Sequence, residues 1–207
     1  MIPIVGVGFL VISASGSFFS DLERSLGNIF QAAESYAPPT PTPPPIAQTL
    51  VINEVLPQST CKVGNSYAQW IEIYNGFSYP VDLKNYRITD ANGTLIDLVT
   101  SNTTIPSKSL ALISHDNSLW NKCYTDNGVI TANFGGTLDL NTGTLKLYDN
   151  ASPTPNILDT VIWGASPNPT PNIDESIERD PDGKDTKLGN DFEPSDFVIR
   201  AIPLPGL

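Results

Sequence analysis

The closest this sequence comes to a spacing that does chemistry is Asp180-Pro-Asp-Gly-Lys-Asp185. Three carboxylates with a glycine between the second and third follow the pattern by which calcium loops converge oxygens on one ion. The twelfth position of such a loop would hold a bidentate glutamate, and here it is Asp191. Pro-Asp-Gly is also an ordinary turn sequence. Asp180, Asp182 and Asp185 therefore stand as a structural turn or as calcium ligands, the turn being favoured, and no other cofactor is expected. The run lies in an acidic stretch. From Asp174 to Asp196 nine acids face three bases, so a net −6 of the chain's −11 falls there.

Residue types exclude most other chemistry. Glycoside hydrolysis needs two carboxyls set a few ångströms apart in a cleft. Glu54 and Glu72 fall within strand-like runs, where a sandwich puts such residues on a solvated or hydrogen-bonded face, and nothing selects a catalytic pair. His115, followed by Asp116, reads as a surface loop residue. With one histidine and two cysteines, no tetrahedral zinc site closes. Neither Cys61 nor Cys123 has the local surroundings of a nucleophile. A charge of −11 repels phosphate backbones, so nucleic acid is not an expected partner.

The elements that must position these residues begin after a non-globular front. Residues 2–12 are almost wholly apolar and are followed by small residues at 13–17, the pattern of a signal peptide assigned to residues 1–19 and too short for a comfortable membrane span. No basic residue precedes the run, which implies a start further upstream or an uncharged leader. In residues 20–36, Ser20 and Glu23 make a capping box, and Leu22, Leu26, Ile29, Phe30 and Ala33 share one helical face. The stretch Ser15–Ala33 resembles the segment that follows the apolar run in camelysin-type and related biofilm-matrix proteins. Residues 37–48 form a proline-rich linker: six of the eight residues from Pro38 to Pro45 are proline, a polyproline II spacer of roughly 25 Å.

From Thr49 onward the hydrophobic period is two. Leu50–Leu56, Gln69–Tyr74, Tyr86–Thr89, Thr94–Val99, Ser109–Ser114, Thr144–Tyr148 and Ile157–Trp163 are short runs rich in branched and aromatic residues, which predicts an all-β sandwich. Asn92-Gly93 and Asn141-Thr-Gly143 read as hairpin corners. Ile71 and Ile73 are expected to face inward, with Trp70, Glu72 and Tyr74 on the opposite face.

Val51-Ile-Asn-Glu-Val55, Trp70-Ile-Glu-Ile-Tyr-Asn75 and Pro80-Val-Asp-Leu-Lys-Asn-Tyr-Arg-Ile-Thr-Asp90 together resemble the opening half of the lamin tail domain. Ile105-Pro, Leu110-Ala-Leu112, Gly143–Leu147, Leu158-Asp-Thr-Val161, Ser176-Ile-Glu-Arg179 and Pro181-Asp-Gly183 continue the likeness in order, over residues 49–200. It implies an immunoglobulin-like β-sandwich, with Asn53, Glu54, Trp70, Glu72, Asn75, Leu83 and Asp90 as structural motif residues. Asn85-Tyr86 replaces the common Gly-Trp, and an insertion spans Ser114 to Gly136. Residues 201–207 are a tail. If the domain is secreted, Cys61 and Cys123 are expected to form one disulfide joining the loop after the first strand to the insertion.

These features favour a noncatalytic extracellular or cell-surface module, serving adhesion, tethering or a matrix, whose partner is a protein or a glycan or other envelope component. Membrane contact is expected only through an uncleaved leader. The alternative is a secreted hydrolase using acidic residues, with or without calcium. Trp70, Tyr74, Trp120 and Trp163 are contact-face candidates, core packing being favoured for Trp70 and Trp163. Asn92, Asn102 and Asn150 stand in glycan-acceptor spacing and mark loops.

Overall fold

The computed structural model describes residues 46–89, 91–99, 101–115, 122–124, 131–133, 137–187 and 191–203. The leader, the amphipathic segment, residues 37–45 of the linker, Asp90 and Trp120 lie outside the described residues.

Alternation of aliphatic with polar residues produces strands, and two sheets bury their aliphatic faces against each other. The first sheet holds β1 (Leu50–Leu56), β4 (Trp70–Asn75), β9 (Leu110–Ser114), β10 (Thr131–Asn133), β13 (Ser176–Arg179) and β14 (Phe197–Arg200) in the order β10-β9-β4-β1-β13-β14. Its pairs are antiparallel except β9 with β10. The second sheet holds β6 (Arg87–Thr89), β7 (Leu95–Asp97), β11 (Gly143–Tyr148) and β12 (Ile157–Trp163), ordered β12-β11-β6-β7 and antiparallel throughout. Two small pairs complete it: β2 (Lys62–Val63) with β3 (Ser66–Tyr67), and β5 (Val81–Asp82) with β8 (Thr104–Ile105). Between the sheets Leu50, Ile52, Val55, Ile71, Ile73 and Ile177 of the first meet Ile88, Leu145, Leu147, Val161 and Trp163 of the second. This is the immunoglobulin-like β-sandwich expected. Among the described residues no helix is long and apolar enough to cross a membrane.

All seven predicted runs are strands. Asn92-Gly93 turns the β6–β7 hairpin, where Gly93 adopts φ +75°, a conformation that costs glycine little. Asn141-Thr-Gly143 is not a hairpin corner. The strand before it, β10, belongs to the other sheet, so this stretch is the entry to β11 after a crossover. The fold also begins earlier than Thr49: Ile46 bridges Lys184 and the Ala47 amide donates to the Gly183 carbonyl at 2.8 Å.

The outer face of the first sheet is not a solvated one. Leu56, Trp70 and Leu112 make one apolar cluster with Tyr124, while Ala47, Val51 and Tyr74 make another. Trp70 and Tyr74 thus face away from the main core as expected, yet both are buried. Trp163 is buried as well, so none of these three aromatics is exposed.

Candidate functional site

Between the two outer clusters runs a polar strip set by a β-bulge. Ile52 faces Ile73 and Glu54 faces Glu72, and the register shifts at Asn53, which is the extra residue. The bulge frees the Asn53 amide to join three segments. Its Nδ2 donates to Glu72 Oε1 at 3.0 Å and to Asp182 Oδ1 at 3.1 Å, and its Oδ1 accepts from the Gly183 amide at 2.8 Å. Gly183, at φ +67°, lies against Tyr74 so closely that a Cβ there would meet the ring at 2.4 Å. The turn is therefore clamped to the sheet at a position only glycine fits.

Most acids of the run have partners within the fold. Asp182 accepts from Asn53, Asp180 lies 3.6 Å from Arg200, and Asp185 is buried. Asp196 accepts from Thr186 and lies 3.7 Å from Lys184; Glu193 pairs with Lys187 at 3.0 Å, and Asp174 accepts from Ser59 and Thr60. Asp180 and Asp182 thus turn to different partners. Among the described residues no group of three or more His, Cys, Asp or Glu side chains is placed to hold a metal ion.

Glu54 and Glu72 lie on a hydrogen-bonded face, as one of the two expected settings, and the structure adds a third acid. Glu72, Glu54 and Glu178 stand in one row across β4, β1 and β13. Glu54 is 2% exposed and accepts from Ser176 Oγ. Burial is the main cause that pushes its carboxyl up to about 8, with Glu72 and Glu178 adding to it, against the lowering hydrogen bond from Ser176 and the charge of Arg200. The folded state therefore holds this proton between about pH 4.5 and 8 while the unfolded chain has released it. Stability contributed by protonated Glu54 is complete below that window and is lost as pH rises through about 8. Denaturant titrations from pH 5 to 9 are expected to show falling stability, no steeper than about 1.4 kcal/mol per pH unit from this group. Glu54→Gln is expected to flatten the slope and gain on the order of 1 kcal/mol at neutral pH.

A second polar assembly pins the sheets together inside the core. Asp159 of β12 and Arg179 of β13 face inward and are 0% and 2% exposed. Arg179 Nη2 donates to both Asp159 oxygens, at 2.9 and 3.0 Å. Asp159 Oδ2 also accepts from the Ile52 amide beside the bulge at 2.7 Å, and Oδ1 from the Thr160 amide at 2.8 Å. The guanidinium donates further to the Ile52 and Lys184 carbonyls and lies 4.5 Å from the Phe197 ring centroid. Burial lifts Asp159 to about 6, and the Arg179 charge is the largest influence opposing it.

Two further motif residues, Asn75 and Leu83, sit within the frame. Asn75 Nδ2 donates to the carbonyls of Tyr79, Ile105 and Pro106, and its Oδ1 accepts from the Phe77 amide, which fixes the 76–80 loop on β8. Leu83 is wholly buried in the main core. Cys61 and Cys123 form a disulfide with Cα atoms 5.9 Å apart, and the described cysteines include no free thiol.

One sizeable concavity, of about 600 Å3, opens at an end of the second sheet. It is framed by the β6–β7 hairpin tip, the entry to β11 and the loop that follows β12. Asn92, Asp139, Thr142, Thr144 and Asn168 line it with polar groups. Trp163 closes its floor, donating from Nε1 to the Asp139 carbonyl at 3.3 Å. The indole lies so near Gly143 that a Cβ there would meet it at 2.3 Å. None of these residues was singled out by sequence as lining one site, because they come from stretches up to about 75 residues apart.

The family model of the Lamin Tail Domain matches residues 43–165, more than half of the 207 residues. The match ends before β13 and β14, whose residues supply Arg179 and Phe197. No curated protein and no solved structure matches the chain.

Proposed function

The chain belongs to the lamin tail domain family, and from that premise we propose that it is a contact module displayed outside the cell, tethering or building a matrix without catalysing a reaction. The observation that carries this reading is where the carboxylates go. Glu54, Glu72, Asp159 and Asp182, the acids of the motif strands and turn, each bond to a partner within the frame, which leaves them fixing the fold. Two features support the location. A disulfide suits an oxidising compartment, and the proline-rich stretch before the sandwich has the composition of a stiff spacer that would hold it away from a surface.

Fractionation of the native host, with mass analysis of the non-reduced chain, tests the location. Co-sedimentation with envelope or matrix material, run beside hydrolysis screens on polysaccharides, tests the activity. Recovery outside the cell with the bridge intact and saturable sedimentation without product is expected. Cytosolic recovery with two free thiols would overturn the location. Hydrolysis lost in Glu54→Gln or Glu72→Gln would replace the contact module with an enzyme.

A further inference from the structure

We propose that the groove at the end of the four-stranded sheet binds a neutral, hydroxyl-rich ligand: a short stretch of uncharged oligosaccharide. The proposal rests on the reading of the chain as a contact module and adds a place and a ligand class to it. At about 600 Å3 the groove falls within the range of roughly 300–1,000 Å3 typical of ligand pockets. Among its lining residues Asp139, Thr142, Thr144 and Asn168 carry polar side chains: a carboxylate, two hydroxyls and an amide. A sugar hydroxyl both donates and accepts. Amides and hydroxyls answer it in both senses, and a carboxylate accepts from two hydroxyls at once.

Competing ligand classes fit less well. No lysine or arginine is among the described residues of the lining, and the chain's charge of −11 repels an anion that no cation would hold. A wholly apolar ligand would cover these polar side chains and offer them no hydrogen bond. The walls are also braced before any ligand arrives, which lowers the ordering cost of binding. The Ala91 amide donates to the Thr137 carbonyl at 2.8 Å, that of Gly164 to Pro169 at 2.8 Å and that of Asn168 to Ala165 at 3.1 Å. The Thr170 hydroxyl donates to the Gly164 carbonyl.

The test titrates the full chain with short linear gluco-, manno-, galacto- and N-acetylglucosamine oligosaccharides by calorimetry and amide NMR. Thr144→Trp, which fills the groove from an exposed position on β11, and Asn168→Ala are titrated in parallel. Saturable binding of at least one neutral oligosaccharide is expected, about tenfold weaker in Asn168→Ala and lost in Thr144→Trp. Shifts of the wild-type chain should concentrate at 91–93, 142–144 and 165–168. Those shifts decide the matter if a variant's unfolding midpoint falls, and shifts centred elsewhere overturn the proposal. No saturable binding across the panel, or binding unaffected by both substitutions, would overturn it too. Envelope co-sedimentation undiminished by Thr144→Trp keeps the contact module and removes the groove from it. Sugar binding without envelope binding does the reverse.

Discussion

Asp159→Ala is expected to lower the unfolding free energy by about 3–5 kcal/mol, the usual cost of removing one partner from a buried ion pair. The loss comes less from the missing attraction than from what stays behind. The Arg179 guanidinium would remain 2% exposed with its nearest other carboxylate, that of Asp196, 3.7 Å away. The Ile52 and Thr160 amides would lose their acceptor inside the core, each at a further desolvation cost. Arg179→Met should cost a similar amount, because it leaves the Asp159 charge buried. The double variant Asp159→Leu with Arg179→Met should recover more than half of either loss, since well-packed apolar replacements of a buried pair are often neutral. Denaturant unfolding of the three variants at neutral pH separates the cases. A double variant no better than the singles would mean that the pair's geometry at the bulge, and not its uncompensated charge, sets the cost.

Reduction of the disulfide, or Cys61→Ser with Cys123→Ser, is expected to cost roughly 4 kcal/mol. That is the chain-entropy value for cysteines 62 positions apart. For a folded body of this size the melting midpoint should fall by roughly 10 °C. The bridge joins two places already in contact, since Ser59 Oγ lies 3.3 Å from the Tyr124 hydroxyl, and Thr60 anchors the first of them separately by donating twice to Asp174 at 2.7 Å. These bonds preserve the native arrangement of the loop, so the effect acts mainly on the unfolded chain. Melting curves with and without a phosphine reductant check it. Coincident curves would show that the unfolded ensemble is not constrained by the link.

The strands of the sandwich were legible because each run alternates or carries branched residues over four or more positions. Two-residue strands such as β5 and β8 were not, since a ladder that short exists only through its partner. β13 escaped for another reason: Ser-Ile-Glu-Arg offers one aliphatic residue, too few to show a period. The inward placement of Ile71 and Ile73 followed directly from parity. The same parity applied to Ile157–Trp163 places Asp159 on the face of Val161 and Trp163, and applied to β13 it places Arg179 with Ile177. An acid and a base on core faces require each other, so this pair was within reach of the sequence. The burial of Glu54 and Glu72 was not, because what lies over the outer face comes from elements distant in the chain. The groove was equally hidden, its walls being separate turns brought together by the crossover into β11.

Asn53 acts in β1 as an inserted letter in a two-beat reading frame. Leu50 and Ile52 before it and Val55 after it all face the core only because it is passed over in the count. Its deletion would leave those three aliphatics pointing as they do, whereas a deletion in an unbulged strand such as β4 would turn part of that strand inside out. The residue that the ladder can omit is thus one of those that fasten the acidic turn. A chain shortened by that single position would retain its sandwich while loosening residues 180–185 from it.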